Sequence, residues 1–141
     1  MEKAELLKKF GLMQESMLAT TDGERAYVRP VMLIFLKDRF FIATGSADAK
    51  CAQLRNQPQA EVCYYFNEEG KGCYIRLNGK VNFIEDIELR GELMEVAFFI
   101  KNYWTDPADE GYALLEIIPD WFDFMEYNSN VEERISLIDN G

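Results

Sequence analysis

The spacing of hydrophobic and polar positions changes several times along the chain, and each change marks an element. Leu6, Leu7, Phe10 and Met13 recur at helical spacing with charges opposite, which predicts an amphipathic helix within residues 1–14. From Ser16 onward the pattern is that of strands. Ser16–Thr21 ends at the turn pair Asp22-Gly23, and Ala26–Lys37 is a long apolar run rich in β-formers. Asp38-Arg39 breaks that run before a further strand, Phe40–Thr44. Gly45-Ser46 then opens a helical stretch to about Gln57, where Pro58 stops it.

Two strands follow, Ala60–Phe66 and Cys73–Ile84, joined by a hairpin connection over Asn67–Gly72. The second has the cleanest alternation in the chain. Cys73, Ile75, Leu77, Gly79, Val81 and Phe83 lie on one face, and Tyr74, Arg76, Asn78, Lys80 and Asn82 on the other. Asp86 to about Asn102 returns to helical spacing, with Ile87, Leu93, Met94, Ala97 and Ile100 expected toward the core. An acidic loop, 106–111, precedes two last strands, Tyr112–Ile118 and Trp121–Tyr127, separated at Pro119-Asp120. Residues 128–141 are expected to be a polar tail lying on the surface.

About seven strands and three helices, with most strands neighbours in sequence, predict a mainly β protein: a small antiparallel barrel or sandwich with short flanking helices. A doubly wound parallel sheet would need a helix between nearly every pair of strands. At 141 residues the chain is expected to form one domain, 1–141.

Charge narrows the partners. A net charge of −10 argues against nucleic acid and anionic membranes, which are themselves polyanions. An anionic small ligand stays possible where the protein supplies positive charge locally. The three cysteines, Cys51, Cys63 and Cys73, fit no metal spacing and read as free thiols of a reducing, cytoplasmic compartment. No apolar run approaches a membrane span, and the charged residues of the first sixteen positions leave no room for a signal peptide. The chain contains no histidine, so Ser–His–Asp and Cys–His chemistry is excluded within it.

Two local features carry candidate chemistry. Arg29-Pro30 interrupts an apolar strand, and a proline there marks an edge or a bulge. Thr44-Gly-Ser-Ala-Asp-Ala-Lys50 joins a strand to a helix start, where free N–H groups, the Ser46 hydroxyl and the Lys50 ammonium suit a phosphate. An ordinary Ser-capped helix with a surface lysine is the commoner outcome for such a junction, and Asp48 in the first turn slightly favours it.

In this order the elements resemble the FMN-binding split barrels related to pyridoxamine 5'-phosphate oxidase. Arg29-Pro-Val-Met-Leu-Ile34 is similar to the family's Arg-x-Val strand, followed by Ala43-Thr44 and by Lys50 six residues after the threonine. Asn56-Gln-Pro58 resembles a helix-ending Asn-x-Pro, and the strand through Gly79 and Val81 a Val-x-Gly segment. The resemblance implies a split β-barrel and FMN as cofactor. It implies that Arg29 and Lys50 bind the FMN phosphate with help from Thr44 and Ser46. The backbone of Pro30, Val31 and Met32 would run beside the isoalloxazine ring, and Tyr74 would contact the flavin. It also implies a homodimer with FMN at the subunit interface and a small-molecule electron donor or acceptor.

The departures are equally specific. A basic residue found beside the lysine in the oxidases is Ala49 here, and the C-terminal Arg–His motif for the substrate phosphate is missing. The resemblance therefore implies a flavin-dependent oxidoreductase that is not a pyridoxamine-phosphate oxidase, with no side chain assigned as catalytic and no metal. A non-enzymatic flavin-binding redox sensor, store or stress-related protein remains open, as does a split barrel holding deazaflavin or haem.

Overall fold

A computed structural model describes residues 1–138. The helix α1 (Lys3–Leu7) is followed by strands β1 (Met13–Thr21), β2 (Ala26–Leu36) and β3 (Arg39–Gly45), then helix α2 (Ala49–Asn56). Strands β4 (Gln59–Glu68) and β5 (Lys71–Phe83), helix α3 (Ile87–Val96) and a short 3₁₀ helix, Phe98–Asn102, lead to β6 (Tyr112–Met125) and β7 (Glu133–Ser136). The strands are antiparallel in the order β3-β2-β1-β4-β5-β6-β7, and β3 also pairs with β6. That last pairing closes β1 to β6 into a six-stranded barrel and leaves β7 as an extra strand on β6. Across the closing seam the Arg39 guanidinium donates two 2.8 Å hydrogen bonds to the buried Glu116 carboxylate.

The expected mainly β barrel is therefore present. Period-2 alternation fills its interior: Leu18, Leu33, Phe40, Val62, Ile75, Leu77, Leu115 and Phe122 form one cluster. A second cluster lies outside the barrel, where Leu93, Met94 and Ile100 pack on Ile34, Phe41, Tyr112 and Leu114. Each such side chain contributes about 1.5–3 kcal/mol by leaving water.

Several expected boundaries move, each for a physical reason. The first helix stops at Leu7. Gly11 is a poor helix residue, and Met13 gains ladder partners by pairing with Ile34. Leu6 and Phe10 are buried as the stripe required, Phe10 by packing against Phe35, Phe40 and Tyr64. The helix expected from Gly45 begins only at Ala49. The expected helix Asp86–Asn102 divides at Ala97 into α3 and the 3₁₀ segment, and Ile87 is exposed rather than in the core.

The two expected C-terminal strands are one, β6, running through Pro119. Proline is tolerated because β6 changes neighbours there. On one edge β3 pairs up to Ile117 and β7 begins at Trp121, so the missing N–H falls in the gap. The other edge accommodates it with a register shift at Asn78/Gly79. Finally, the tail is not wholly loose. Glu133–Ser136 pairs with Trp121–Phe124, and Arg134 donates to the buried Asp123 carboxylate at 2.7 and 3.2 Å while lying over the Trp121 ring.

Candidate functional site

The strand β2 is paired along its whole length on one side only. It meets β1 from Ala26 to Ile34, but it meets β3 only over Ile34–Leu36, because β3 then leaves to join β6. The Phe35 N–H donates to Leu12 O, which directs the main chains of Arg29, Val31 and Leu33 toward β1 by alternation. Those of Val28, Pro30 and Met32 face the opposite edge, which has no strand partner among the described residues. The barrel is split here, and free backbone groups line the opening.

Over the outer face of β2, β1 and β4 lies an open cavity of about 470 Å³, bounded by Met17, Pro30, Val31, Met32, Cys63 and Tyr65 among others. Its walls are mostly apolar, with one aromatic ring and one thiol, together with the polar residues Glu15 and Ser16. Burial pushes the Cys63 thiol pKa up, which disfavours its thiolate. Met17, Val28 and Tyr65, all on this outer face, are 44%, 62% and 65% exposed.

Arg29 has the parity of the barrel interior and stands at the barrel end, near α2. Its Nη1 donates to Thr20 Oγ1 at 2.7 Å and its Nη2 to Gln53 Oε1 at 3.0 Å. Weaker contacts reach Leu18 O and Tyr27 O at 3.3 and 3.4 Å. Every acceptor is a neutral oxygen, and among the described residues no carboxylate forms a salt bridge with Arg29. Burial lowers the pKa of its guanidinium, as expected for a cation removed from water without a counter-ion.

The turn before α2 is differently arranged. Thr44 Oγ1 donates to Asp48 Oδ2 at 2.7 Å, and Lys50 Nζ reaches the same oxygen at 3.1 Å. Asp48 sits at the N-cap of α2, but its side chain caps none of the helix N–H groups. The bonds from Thr44 and then Lys50 hold its carboxyl pKa below the usual range. Ser46 is anchored through its backbone, whose N–H donates to Gly111 O at 2.9 Å. That oxygen belongs to the acidic loop, which Arg90 fixes by donating to Pro107 O and Asp109 O at 2.7 and 3.1 Å.

Tyr74 is elsewhere. It pairs with Tyr65 across β4 and β5, so β1 and β4 stand between it and β2. Its hydroxyl donates to Glu132 Oε2 at 2.5 Å, beside Arg76, which is paired with Glu61 and Glu132. Burial and that hydrogen bond push the Tyr74 pKa up to about 12. The structure thus gathers Pro30, Val31 and Met32 at one cavity, joins Arg29 to α2 through Gln53, and ties Thr44 to Lys50 through Asp48. Tyr74 joins none of these groups within one chain. Thr20, Gln53, Met17, Cys63 and Tyr65 complete the site, and the sequence reading missed them. Gln53 lies three residues after Lys50, which is helical spacing toward a shared side, and this was its one visible signal.

Among the described residues no cluster of three metal-ligating side chains occurs, and no helix is long and apolar enough to cross a membrane.

These strands, with β2 left open along one edge and a largely apolar cavity over its outer face, define the molecule as a small split β-barrel. The family model for pyridoxamine 5'-phosphate oxidase matches residues 4–126, and the chain belongs to that family. Among solved structures it is similar to a NimC/NimA family protein from Clostridium acetobutylicum, with 24% identity and a TM-score of 0.75 over 95% of this chain and 89% of that one. A pyridoxamine 5'-phosphate oxidase-related, FMN-binding protein from Nostoc punctiforme shares 20% identity, with a TM-score of 0.62 over 86% and 79% of the two chains. A heme-binding protein from Mycobacterium smegmatis shares 13%, with a TM-score of 0.73 over 89% of this chain and 53% of that one. At these identities the likeness is one of fold. No curated protein matches the chain in sequence.

Proposed function

We propose that the chain binds FMN at the open edge of β2 and acts as a flavin-dependent oxidoreductase on a small-molecule donor or acceptor. The observation that carries this reading is Arg29, a partly buried cation whose hydrogen bonds all go to neutral oxygens. A phosphate would supply the missing negative charge through charge-assisted bonds. The cavity beside Pro30, Val31 and Met32 suits a flat, largely apolar ring, and the free backbone groups of Val28, Pro30 and Met32 suit its polar rim. The FMN-binding neighbour from Nostoc punctiforme supports the same cofactor.

When bound, the flavin supplies the hydride or electron transfer. The chain's own residues bind and orient: Arg29 holds the phosphate, Thr44, Ser46 and Lys50 stand at the helix start, and β2 meets the ring. No side-chain acid or base is invoked, in keeping with a histidine-free sequence. Tyr74 is three strands from β2, about 14 Å at ordinary strand spacing. Its contact with the same flavin would come from a second copy. The exposed Met17, Val28 and Tyr65 give that copy an apolar face to cover, which supports a homodimer with FMN between its subunits.

The Mycobacterium smegmatis neighbour raises haem as a ligand, but nothing in this site favours it, and the chain has no histidine to serve as an axial ligand. The visible spectrum of the purified protein tests the reading, alone and after addition of FMN. A bound flavin gives a yellow protein that bleaches on reduction; a colourless protein that leaves FMN fluorescence unquenched rules the reading out. Steady-state oxidation of a nicotinamide with an added acceptor separates an enzyme from a flavin sensor or store.

A further inference from the structure

The lysine expected to hold the phosphate already has an anion. Asp48 Oδ2 receives both Thr44 Oγ1 and Lys50 Nζ, two of the groups that a phosphate at the start of α2 would use. The Lys50 side chain is largely covered, at 15% exposure, whereas Asp48 is half open, at 51%. The cation is thus held in place and the carboxylate is the part free to move. Asp48 makes no cap hydrogen bond to α2, so turning it outward breaks no helix contact.

We propose that Asp48 is the chain's own occupant of the anion position at Thr44 and Lys50, and that a flavin phosphate must displace its carboxylate to reach them. Asp48 then determines how strongly the protein distinguishes phosphorylated from unphosphorylated flavin. With the carboxylate in place, a phosphate dianion gains little from Lys50 and meets a like charge nearby. Arg29, which has no carboxylate partner among the described residues, carries most of the phosphate affinity. With the carboxylate neutralised, Lys50 and Thr44 are released to the phosphate, and FMN is favoured over riboflavin more strongly. This inference rests on the flavin reading above and adds to it a residue that sets ligand selectivity.

The test is titration of the full chain, Asp48→Asn and Asp48→Ser with FMN and with riboflavin, each followed by flavin fluorescence quenching. Serine keeps a good N-cap residue without the charge, so a folding defect in one variant leaves the other informative. The expected result is an FMN affinity at least about tenfold higher in either variant, with riboflavin affinity changed less than about twofold. Equal shifts for both flavins, no shift, or weaker FMN binding overturns the role of Asp48 while leaving the flavin reading standing. Failure of the parent chain and both variants to bind either flavin overturns the flavin reading itself, and the inference with it.

Discussion

Gly79 lies against the main chain of Ile118 so closely that a side-chain carbon at residue 79 would overlap the Ile118 carbonyl oxygen. The contact occurs where β5 and β6 shift register opposite Pro119. Gly79 is needed for close approach rather than for an unusual backbone angle. Gly79→Ala must push two central strands of the barrel apart, at a cost of about 3 kcal/mol or more. Gly70 has the opposite character, with φ of +74° and open space around it. Gly70→Ala is expected to cost only about 1–2 kcal/mol of left-handed strain. Urea denaturation of the two variants should rank them in that order.

Arg90 is a buried clamp. Besides Pro107 O and Asp109 O, it donates to Tyr112 O at 2.7 Å and Ile84 O at 3.3 Å, and its guanidinium lies 4.3 Å from the centre of the Tyr112 ring. Arg90→Ala strands these carbonyls and should cost about 3 kcal/mol or more. Arg90→Lys should recover little, because an ammonium cannot span the same fork. Gly111 in the clamped loop holds the Ser46 N–H, so loosening should reach the start of α2. Hydrogen exchange is expected to accelerate at Ser46 and Tyr112 in both variants, while the far hairpin, Asn67–Gly72, stays unchanged.

Two tyrosines should titrate late. Burial pushes Tyr112 up to about 12, and burial with the Glu132 hydrogen bond does the same for Tyr74. The fold favours the neutral phenol in each case. The resulting stabilisation is fully present below the ordinary tyrosine pKa of about 10 and is lost as pH rises through about 12. Alkaline titration of tyrosinate absorbance should show this late phase, reduced by Tyr74→Phe and again by Tyr112→Phe. A titration completed near pH 10 with the fold intact would contradict the burial assigned to them.

The barrel was legible wherever one face of a strand meets the core, as in β5, whose alternation from Cys73 to Val81 matches its burial. It was illegible where other forces decide. Pro119 looked like a strand break because its exemption depends on where β3 ends and β7 begins, which no local pattern records. The strand β7 has no apolar period, since the Arg134–Asp123 ion pair and the hydrogen bond from Tyr74 to Glu132 help hold the tail. Within the site, Arg29 stood out because a charge interrupts an apolar run. Its neutral partners Thr20 and Gln53 left no comparable mark. Asp48 was visible as an anion, but its grip on Lys50 is a matter of side-chain direction.

The central claim is that Arg29 supplies the positive charge for a flavin phosphate in a protein whose net charge of −10 opposes anions. Fluorescence-quenching titration of the full chain, Arg29→Ala and Lys101→Ala with FMN, and with riboflavin as a phosphate-free control, measures this directly. Losing a charge-assisted bond costs roughly 1.5–3 kcal/mol, so Arg29→Ala should weaken FMN binding by about 10- to 150-fold and riboflavin binding far less. Lys101→Ala removes a charge of the same sign from a side chain paired with Glu95, and should change FMN affinity by less than about twofold. Equal FMN affinities for Arg29→Ala and Lys101→Ala would contradict the account.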